Sequence, residues 1–459
     1  MNENLTKEQW IQVGREMIAH RERRIKIARG RKFDTIAAHG IYDPDEAIKN
    51  NNASIMEPVY LTPAQVYHNS AELEAGLAYE MPNWCYSRYG NPSNTFLEET
   101  FALLESYGSE IEATCLATSS GMSALRIATD PLLVKDDSLP PPNIVSSYQI
   151  YGGTYQQFWV RRREEQGIEV RWVFDPTDLN EWSEKVDEGT RFLFGEFPSN
   201  PICSIFDIEQ VARLAHQYQI PLIVDATCAS PALTRPLLHG ADIVYHSASK
   251  IICSSGTSIV GLLTARKNIP SRVGDDEMKA DFAAWVKLWP FRDNGPGLHP
   301  IAAILTLHDL RTLRMKVAQM SRTALKVSQF LEDHPKVETV HYPGLKSFPA
   351  HDIAKKYMKL VDSDENSYGF MLAVDTKEDH PGDSTKARQF YDALQLIIRA
   401  TDLGKVKTVA TLNAISTHKQ QGEEARKLSL VRPSTCRISC GIEDADDLIG
   451  DLEQALDKI

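Results

Sequence analysis

Apolar residues recur along this chain in three rhythms. Between Thr6 and about Lys32 they fall at helical spacing, with Trp10, Val13, Met17 and Ile18 on one stripe. Thr6 with Gln9 makes a capping-box pair at the start, so the segment predicts a helix. From Phe33 to Asn83 no period holds, and Pro58, Pro63 and Pro82 interrupt it. That stretch predicts an extended arm, packed either on another subunit or over its own domain. Short β-rich runs then alternate with helical stretches. The candidate strands are residues 113–118, 143–147, 169–173, 191–195, 222–225, 243–246 and 258–264. Several are unbroken apolar runs, as expected of strands covered on both faces of a mostly parallel sheet. Between two of them Asp207 caps a helix, with Gln210 three residues on and Ile208, Val211, Ala212, Ala215 and Tyr218 on its buried face.

After Pro300 the rhythm changes. Residues 304–331 repeat Leu307, Leu310, Leu313, Val317, Met320, Val327 and Leu331 at helical spacing, and Pro335 ends the run. A last helix follows Asp444 through Leu448, Ile449, Leu452, Ala455, Leu456 and Ile459. With strand-like stretches at 370–374 and 435–439, this part predicts a separate, smaller α+β domain. The sequence thus divides into an N-terminal helix and arm (1–85), an α/β domain with a seven-stranded, mostly parallel sheet (86–295), and a C-terminal domain (296–459).

Composition narrows the class. The chain has 50 Lys+Arg against 62 Asp+Glu, a net charge of -12, with 42% hydrophobic and 24% charged residues. That is a folded protein, and its acidity argues against a nucleic-acid partner. The first 32 residues hold nine Lys/Arg, yet Glu3, Glu8, Glu16 and Glu22 among them fit an acid-free presequence poorly. The longest uncharged run, residues 138–160, contains three prolines and two glycines, so no membrane span is expected. Seven cysteines without a C-x-x-C pair predict reduced thiols in a cytoplasmic chain, and no metal site is expected from the scattered His and Cys.

The chemistry concentrates at strand ends. Asp225 closes Leu222-Ile-Val-Asp225, and Lys250 follows 25 residues later in His246-Ser-Ala-Ser-Lys250. An acid and an amine at the carboxyl ends of buried strands face the crevice where α/β sheets bind ligands. They are the parts a pyridoxal-phosphate enzyme needs: an amine for the Schiff base, an acid for the pyridine nitrogen, and hydroxyls for phosphate. Taken singly, Asp225 is better read as a strand cap and Lys250 as a surface charge. Other segments shift that balance. Ser119-Ser-Gly121-Met-Ser-Ala124 follows a strand and opens a helix, leaving backbone N–H groups free for a phosphate. Tyr151-Gly-Gly-Thr154 offers an aromatic face, and Glu196-Phe-Pro-Ser-Asn200-Pro201 sets polar side chains at another strand end.

These blocks resemble the Cys/Met-metabolism family of pyridoxal-phosphate enzymes, which includes cystathionine γ-synthases and γ-lyases, methionine γ-lyases and O-acetylhomoserine sulfhydrylases. They run in family order: Tyr86-Ser-Arg88-Tyr-Gly-Asn-Pro92, Ser120-Gly-Met-Ser-Ala124, Tyr151 to Thr154, Glu196 to Pro201, Asp225 to Pro231, Ser247-Ala-Ser-Lys250, and Arg437 to Asp444. The likeness spans roughly Phe33 to the C-terminus. It implies a fold-type I pyridoxal-phosphate transferase with pyridoxal 5'-phosphate as cofactor. Lys250 resembles the Schiff-base lysine, Asp225 the partner of the ring nitrogen, and Tyr151 the stacking tyrosine that doubles as acid or base. Gly121, Met122, Ser247 and Ser249 match phosphate-binding positions, and Thr227 a residue beneath the ring. Tyr86 and Arg88 match a pair that reaches into the neighbouring subunit's site, Tyr86 also meeting the substrate. A homo-oligomer is therefore implied, at least a dimer and usually a tetramer. Arg437 matches the arginine that grips the substrate α-carboxylate, with Asn200 beside it.

Departures from the family pattern fall near the substrate. Ala226 stands where Asn is common, Ile251 where Tyr follows the lysine, and Asn413-Ala-Ile-Ser416 in place of a His-Pro-Ala-Ser stretch. The loop Ser254-Ser-Gly256-Thr257 matches the sulfhydrylase branch best, with Ser255 in place of His. The family's Ser-Leu-Gly near the substrate carboxylate is here Asp402-Leu403-Gly404, so Asp402 marks either a changed substrate preference or a shifted, solvent-facing loop. The resemblance implies γ-replacement on an O-activated homoserine or related γ-substituted L-amino acid, through a vinylglycine-type intermediate. The alternative is γ-elimination, including a non-sulfur leaving group in secondary metabolism. A non-catalytic binder is disfavoured by the joint presence of Lys250, Asp225, Tyr151 and Arg437. A nicotinamide dehydrogenase is disfavoured because no strand leads into G-x-G-x-x-G.

Overall fold

In the computed structural model, residues 4–380 and 382–459 are described. Seven strands form the larger sheet: β1 (Ala113–Thr118), β2 (Asn143–Ser147), β3 (Glu169–Val173), β4 (Thr190–Glu196), β5 (Leu222–Asp225), β6 (Ile243–Ser247) and β7 (Gly261–Arg266). Their order is β1-β7-β6-β5-β4-β2-β3. β7 runs antiparallel to β1 and β6, and the other four pairs are parallel. The unbroken apolar runs have a direct cause. Alternate residues enter cores on opposite faces, so Leu222 and Val224 join one while Ile223 joins the other. Crossover helices cover the faces, among them Ile208–Gln217, whose Asp207 cap accepts from the Gln210 amide at 3.0 Å.

A second sheet of five strands comprises β8 (Val337–His341), β9 (Met371–Thr376), β10 (Ile398–Arg399), β11 (Val409–Leu412) and β12 (Thr435–Ser439), in the order β10-β11-β12-β9-β8. The central β12 is antiparallel to β9 and β11. Val327 and Leu331 of helix Leu313–Asp333 and Leu448 and Leu452 of helix Ala445–Leu456 cover it.

Four sequence expectations need correction. The stretch after Phe33 is not simply extended: it holds helices Phe33–His39, Pro44–Asn50 and Ser70–Leu77. Each is about two turns, too short for a period to show, although Asp43 and Asn69 cap two of them. The long helix expected over 304–331 is two, Pro300–Leu310 and Leu313–Asp333. Leu310 and Leu313 are both buried, so the break leaves the apolar spacing intact. The last strand of the large sheet begins at Gly261, not 258, because the preceding residues form a wall of the cavity described below. In the N-terminal helix, Lys7–Arg29, Trp10 is buried against Ala75 and Met81, but Ile18 is exposed and Gly14 takes the buried position under Met81. Among the described residues no helix is long and apolar enough to cross a membrane.

Candidate active site

The carboxyl ends of β4, β5 and β6, with the segment that follows β2, open onto a cavity of about 610 Å³. Parallel pairing creates this arrangement, since it brings Glu196, Asp225 and Tyr245 level across three neighbouring strands. Asp225 is buried and accepts from the Thr227 amide at 2.9 Å and from the Tyr245 hydroxyl. Burial pushes its carboxyl above the usual range, and the bonds to Thr227 and Tyr245 offset part of that rise. Glu196 accepts from the backbone amides of Tyr151 at 2.5 Å and Asn200 at 2.8 Å. Its carboxyl is held well above the ordinary range, first by burial and then by the facing Asp225. Tyr151 lies half-buried at the cavity edge. Burial and then the Glu196 charge raise its phenol, which keeps it protonated and a donor.

One corner is suited to a phosphate. Ser120 caps helix Gly121–Thr129, its hydroxyl accepting from the Ser123 amide at 3.1 Å, so the Gly121 and Met122 end of the helix faces the cavity. A Cβ at Gly121 would sit 2.6 Å from Cβ of Ser247, so only glycine lets the helix end approach β6 this closely. Thr227 ties the corner to Asp225, its hydroxyl accepting from the Ser247 amide at 2.8 Å. The Ser249 hydroxyl accepts from the Val260 amide at 2.9 Å, so part of its bonding capacity anchors the loop after Lys250.

Opposite this corner stand the groups suited to an amino acid. Lys250 Nζ donates to Asp402 Oδ1 at 2.7 Å. Asp402 Oδ1 also accepts from the Leu403 amide at 2.9 Å, and Lys405 Nζ stands 3.6 Å from Asp402 Oδ2. Burial disfavours the Asp402 carboxylate, but Lys250, the Leu403 amide and Lys405 together outweigh it and hold the carboxyl below its ordinary range. The solvent-facing alternative for this loop does not hold: Asp402 lines the cavity and is spent on protein cations. Gly404 makes that possible, because at φ +68° a Cβ would lie 2.6 Å from the Ile251 nitrogen. Arg437, at the middle of β12, is fully buried. Its Nη1 donates to Asn200 Oδ1 at 2.9 Å, and Nη2 to the carbonyls of Asp402 at 2.7 Å and Thr401 at 3.2 Å. Nε has no partner, and no carboxylate side chain pairs with the guanidinium among the described residues.

The residues present fit pyridoxal phosphate and an amino acid. A buried carboxyl lacks a cation, a buried guanidinium lacks an anion, and a helix N-terminus with a serine faces the same space. Eleven of the thirteen residues singled out from the sequence line this one cavity. Tyr86 and Arg88 do not. Tyr86 is 46% exposed, and Arg88 lies over its ring at 5.5 Å while donating to the Arg292 carbonyl. Lys405, Tyr245 and Thr401 also line the cavity, and none of them matches a motif in the sequence. Lys405 carried a signal, a cation three residues after Asp402; Tyr245 looked like one more apolar strand position.

A doubly covered sheet presenting Asp225, a phosphate corner and Lys250 at its carboxyl edge defines a pyridoxal-phosphate enzyme of fold type I. Residues 34–457 match the Cys/Met metabolism PLP-dependent enzyme family, and the chain belongs to it. A homocysteine/cysteine synthase of Saccharomyces cerevisiae is 32% identical over 455 residues, covering 93% of this chain and 98% of the yeast protein. An L-methionine gamma-lyase of Fusobacterium nucleatum subsp. polymorphum is 33% identical over 413 residues, covering 90% of this chain and 96% of its own. Among solved structures, one described as an O-acetylhomoserine (thiol)-lyase of Campylobacter jejuni, with an N'-pyridoxyl-lysine-5'-monophosphate, has a TM-score of 0.82 at 31% identity. It covers 93% of this chain and all of its own.

Proposed function

We propose that the chain catalyses γ-replacement on an O-activated homoserine or a related γ-substituted L-amino acid. One observation carries the reading: a buried, unpaired guanidinium, Arg437, shares a cavity with the Lys250 amine. An amino acid supplies the complement, its carboxylate for Arg437 and its amine in exchange for that of Lys250. Pyridoxal phosphate, when bound, supplies an electron sink for the substrate's α-carbon. Gly121, Met122, Ser247 and Ser249 would hold its phosphate, Asp225 its ring nitrogen, and Tyr151 and Thr227 its two faces. Asn200 fixes the Arg437 guanidinium, whose planar fork then orients the carboxylate. Lys250 takes and returns protons at the substrate carbons, and the protonated Tyr151 phenol is the acid for the departing γ-substituent. γ-Elimination is the second reading, favoured by the likeness to a methionine γ-lyase.

A panel of γ-substituted amino acids, O-acetylhomoserine and methionine included, tests both readings by product mass with and without added thiol. The expected product is an amino acid carrying the thiol. A 2-oxo acid formed regardless of thiol selects elimination, and no consumption of any panel member sinks both.

We further propose that each site is completed by a second copy, in a homo-oligomer that is a tetramer in the usual family arrangement. Support comes from Tyr86 and Arg88, which stand outside their own cavity on an exposed arm. Mixing Arg88→Ala chains with Lys250→Ala chains should restore activity, since some sites in mixed oligomers combine both intact residues. With random pairing of two single-site defects, about a quarter of sites recover. No recovery in verified mixed oligomers would show that Arg88 serves its own subunit. The seven free cysteines, six of them buried, support a reducing, cytoplasmic setting.

A further inference from the structure

The contact between Lys250 and Asp402 joins residues 152 positions apart, one after β6 and the other between β10 and β11. We infer that Asp402 is the anionic partner of the Lys250 amine whenever that amine is free, and that it holds Lys250 in place after the lysine has taken a proton from the substrate. The inference rests on the proposed role of Lys250 in proton transfer. Free Lys250 lies 2.7 Å from Asp402 Oδ1, within charge-assisted hydrogen-bond range. The carboxylate also has anchors other than the lysine. The Leu403 amide binds the same oxygen at 2.9 Å, and Gly404 is anchored by its own amide to Ser439 Oγ at 2.8 Å.

Lys405 is the other cation facing this carboxylate, and it cannot replace Lys250. Its Nζ is bound to the carbonyls of Ser249 and Cys253, leaving it 3.6 Å from Asp402 Oδ2. Arg437 reaches Asp402 only through the backbone carbonyl, at 2.7 Å. Asp402 therefore has one oxygen committed to Lys250 and a weaker contact on the other.

The proton balance is simple. Lys250 as a neutral amine accepts a proton from a substrate carbon, whose bonding pair stays with the substrate, and becomes an ammonium beside a carboxylate. It then returns the proton to a substrate atom, and Asp402 is unchanged. A hydroxyl at this position could orient the amine but would not match the charge that appears on it.

The test has two readouts. In the full chain freed of cofactor, Lys250 is acetylated with a limiting amine-reactive ester at pH 8 and quantified by mass spectrometry against the exposed Lys135. Asp402→Asn should speed Lys250 labelling about fivefold, the order expected for loss of a half-exposed ion pair, while Asp402→Glu keeps most of the protection. In the holoenzyme, Asp402→Asn should lower kcat about tenfold with KM within about twofold, and slow exchange of the substrate α-proton with solvent deuterium. Labelling unchanged within twofold in Asp402→Asn, confirmed folded by its melting temperature, overturns the pairing. Faster labelling with kcat intact overturns the proton-holding role, and a KM effect alone makes Asp402 a substrate contact instead. Absence of γ-chemistry in the unaltered enzyme would defeat the proposed function, whereas the labelling experiment would still report on the pair.

Discussion

Lys250→Ala is expected to fold normally and to lose at least about a thousandfold in turnover, because it removes the amine proposed as both covalent anchor and proton carrier. No other amine can substitute. Lys405 is the only other lysine lining the cavity among the described residues, and it is held by the Ser249 and Cys253 carbonyls. The fold should survive because the Lys250 side chain is only partly buried and its one ion pair, to Asp402, is half-exposed. Losing such a pair costs about 1 kcal/mol or less, and Asp402 keeps Lys405 nearby. Melting temperature, cofactor absorbance and rate on the productive panel substrate check the three parts separately. Appreciable turnover in the folded variant would remove Lys250 from the mechanism.

Local chemistry at the strand ends was readable in the sequence because strand period and residue type act together there. A run such as Leu222-Ile-Val-Asp225 must be covered on both faces, so its terminal acid can only emerge at the edge of the sheet. The same logic placed Glu196 and Ser247. The second sheet was harder. Strand β8 is interrupted by exposed Glu338 and ends in His341, which pairs with buried Asp375, and β10 is two exposed residues, so neither presents an apolar run. β11 is apolar but only four residues long, and the lysine-rich stretch before it masks its start. The arm failed for another reason. Helix Ser70–Leu77 depends on its Asn69 cap and on packing against the N-terminal helix, through Trp10 on Ala75 and Lys7 on Glu74 at 3.1 Å, with Glu80 just beyond it at 2.8 Å.

Contacts between distant segments left no local trace. Asp402 could be seen from sequence as an acid in an unexpected place with Lys405 three residues on, but nothing near it indicated that Lys250, 152 positions away, would pair with it. Arg437 was marked only by the family resemblance, not by its local pattern. Its meaning comes from β12 being central, where full burial leaves a guanidinium that only backbone carbonyls and Asn200 satisfy. Arg437 and Asp402 come from the second sheet and its loops, and Asp225, Asn200, Lys250 and the Gly121 corner from the first. The cavity is where the two sets of loops meet, and the Lys250–Asp402 contact crosses that seam.

The second large effect expected is at Asp225. Glu196 and Asp225 end adjacent strands in register, and burial raises both carboxyls above their ordinary range. Asp225 is the member that also accepts from Thr227 and Tyr245, and a cationic N–H set against it would favour its ionised form. Asp225→Asn keeps the shape and the bond from the Thr227 amide but removes that charge, so turnover should fall about a hundred- to a thousandfold. Some cofactor should remain bound, because Lys250 and the Gly121, Met122 and Ser247 corner are untouched. Glu196→Gln provides the contrast. It gives up one of two backbone amide contacts, to Tyr151 or Asn200, and should lower the melting temperature while costing the rate far less. Both variants are compared by kcat at matched cofactor content. If Asp225→Asn stays within a few-fold of the parent while Glu196→Gln is the crippled enzyme, the charge in this pair belongs to Glu196, and the assignment of Asp225 to the ring nitrogen is wrong.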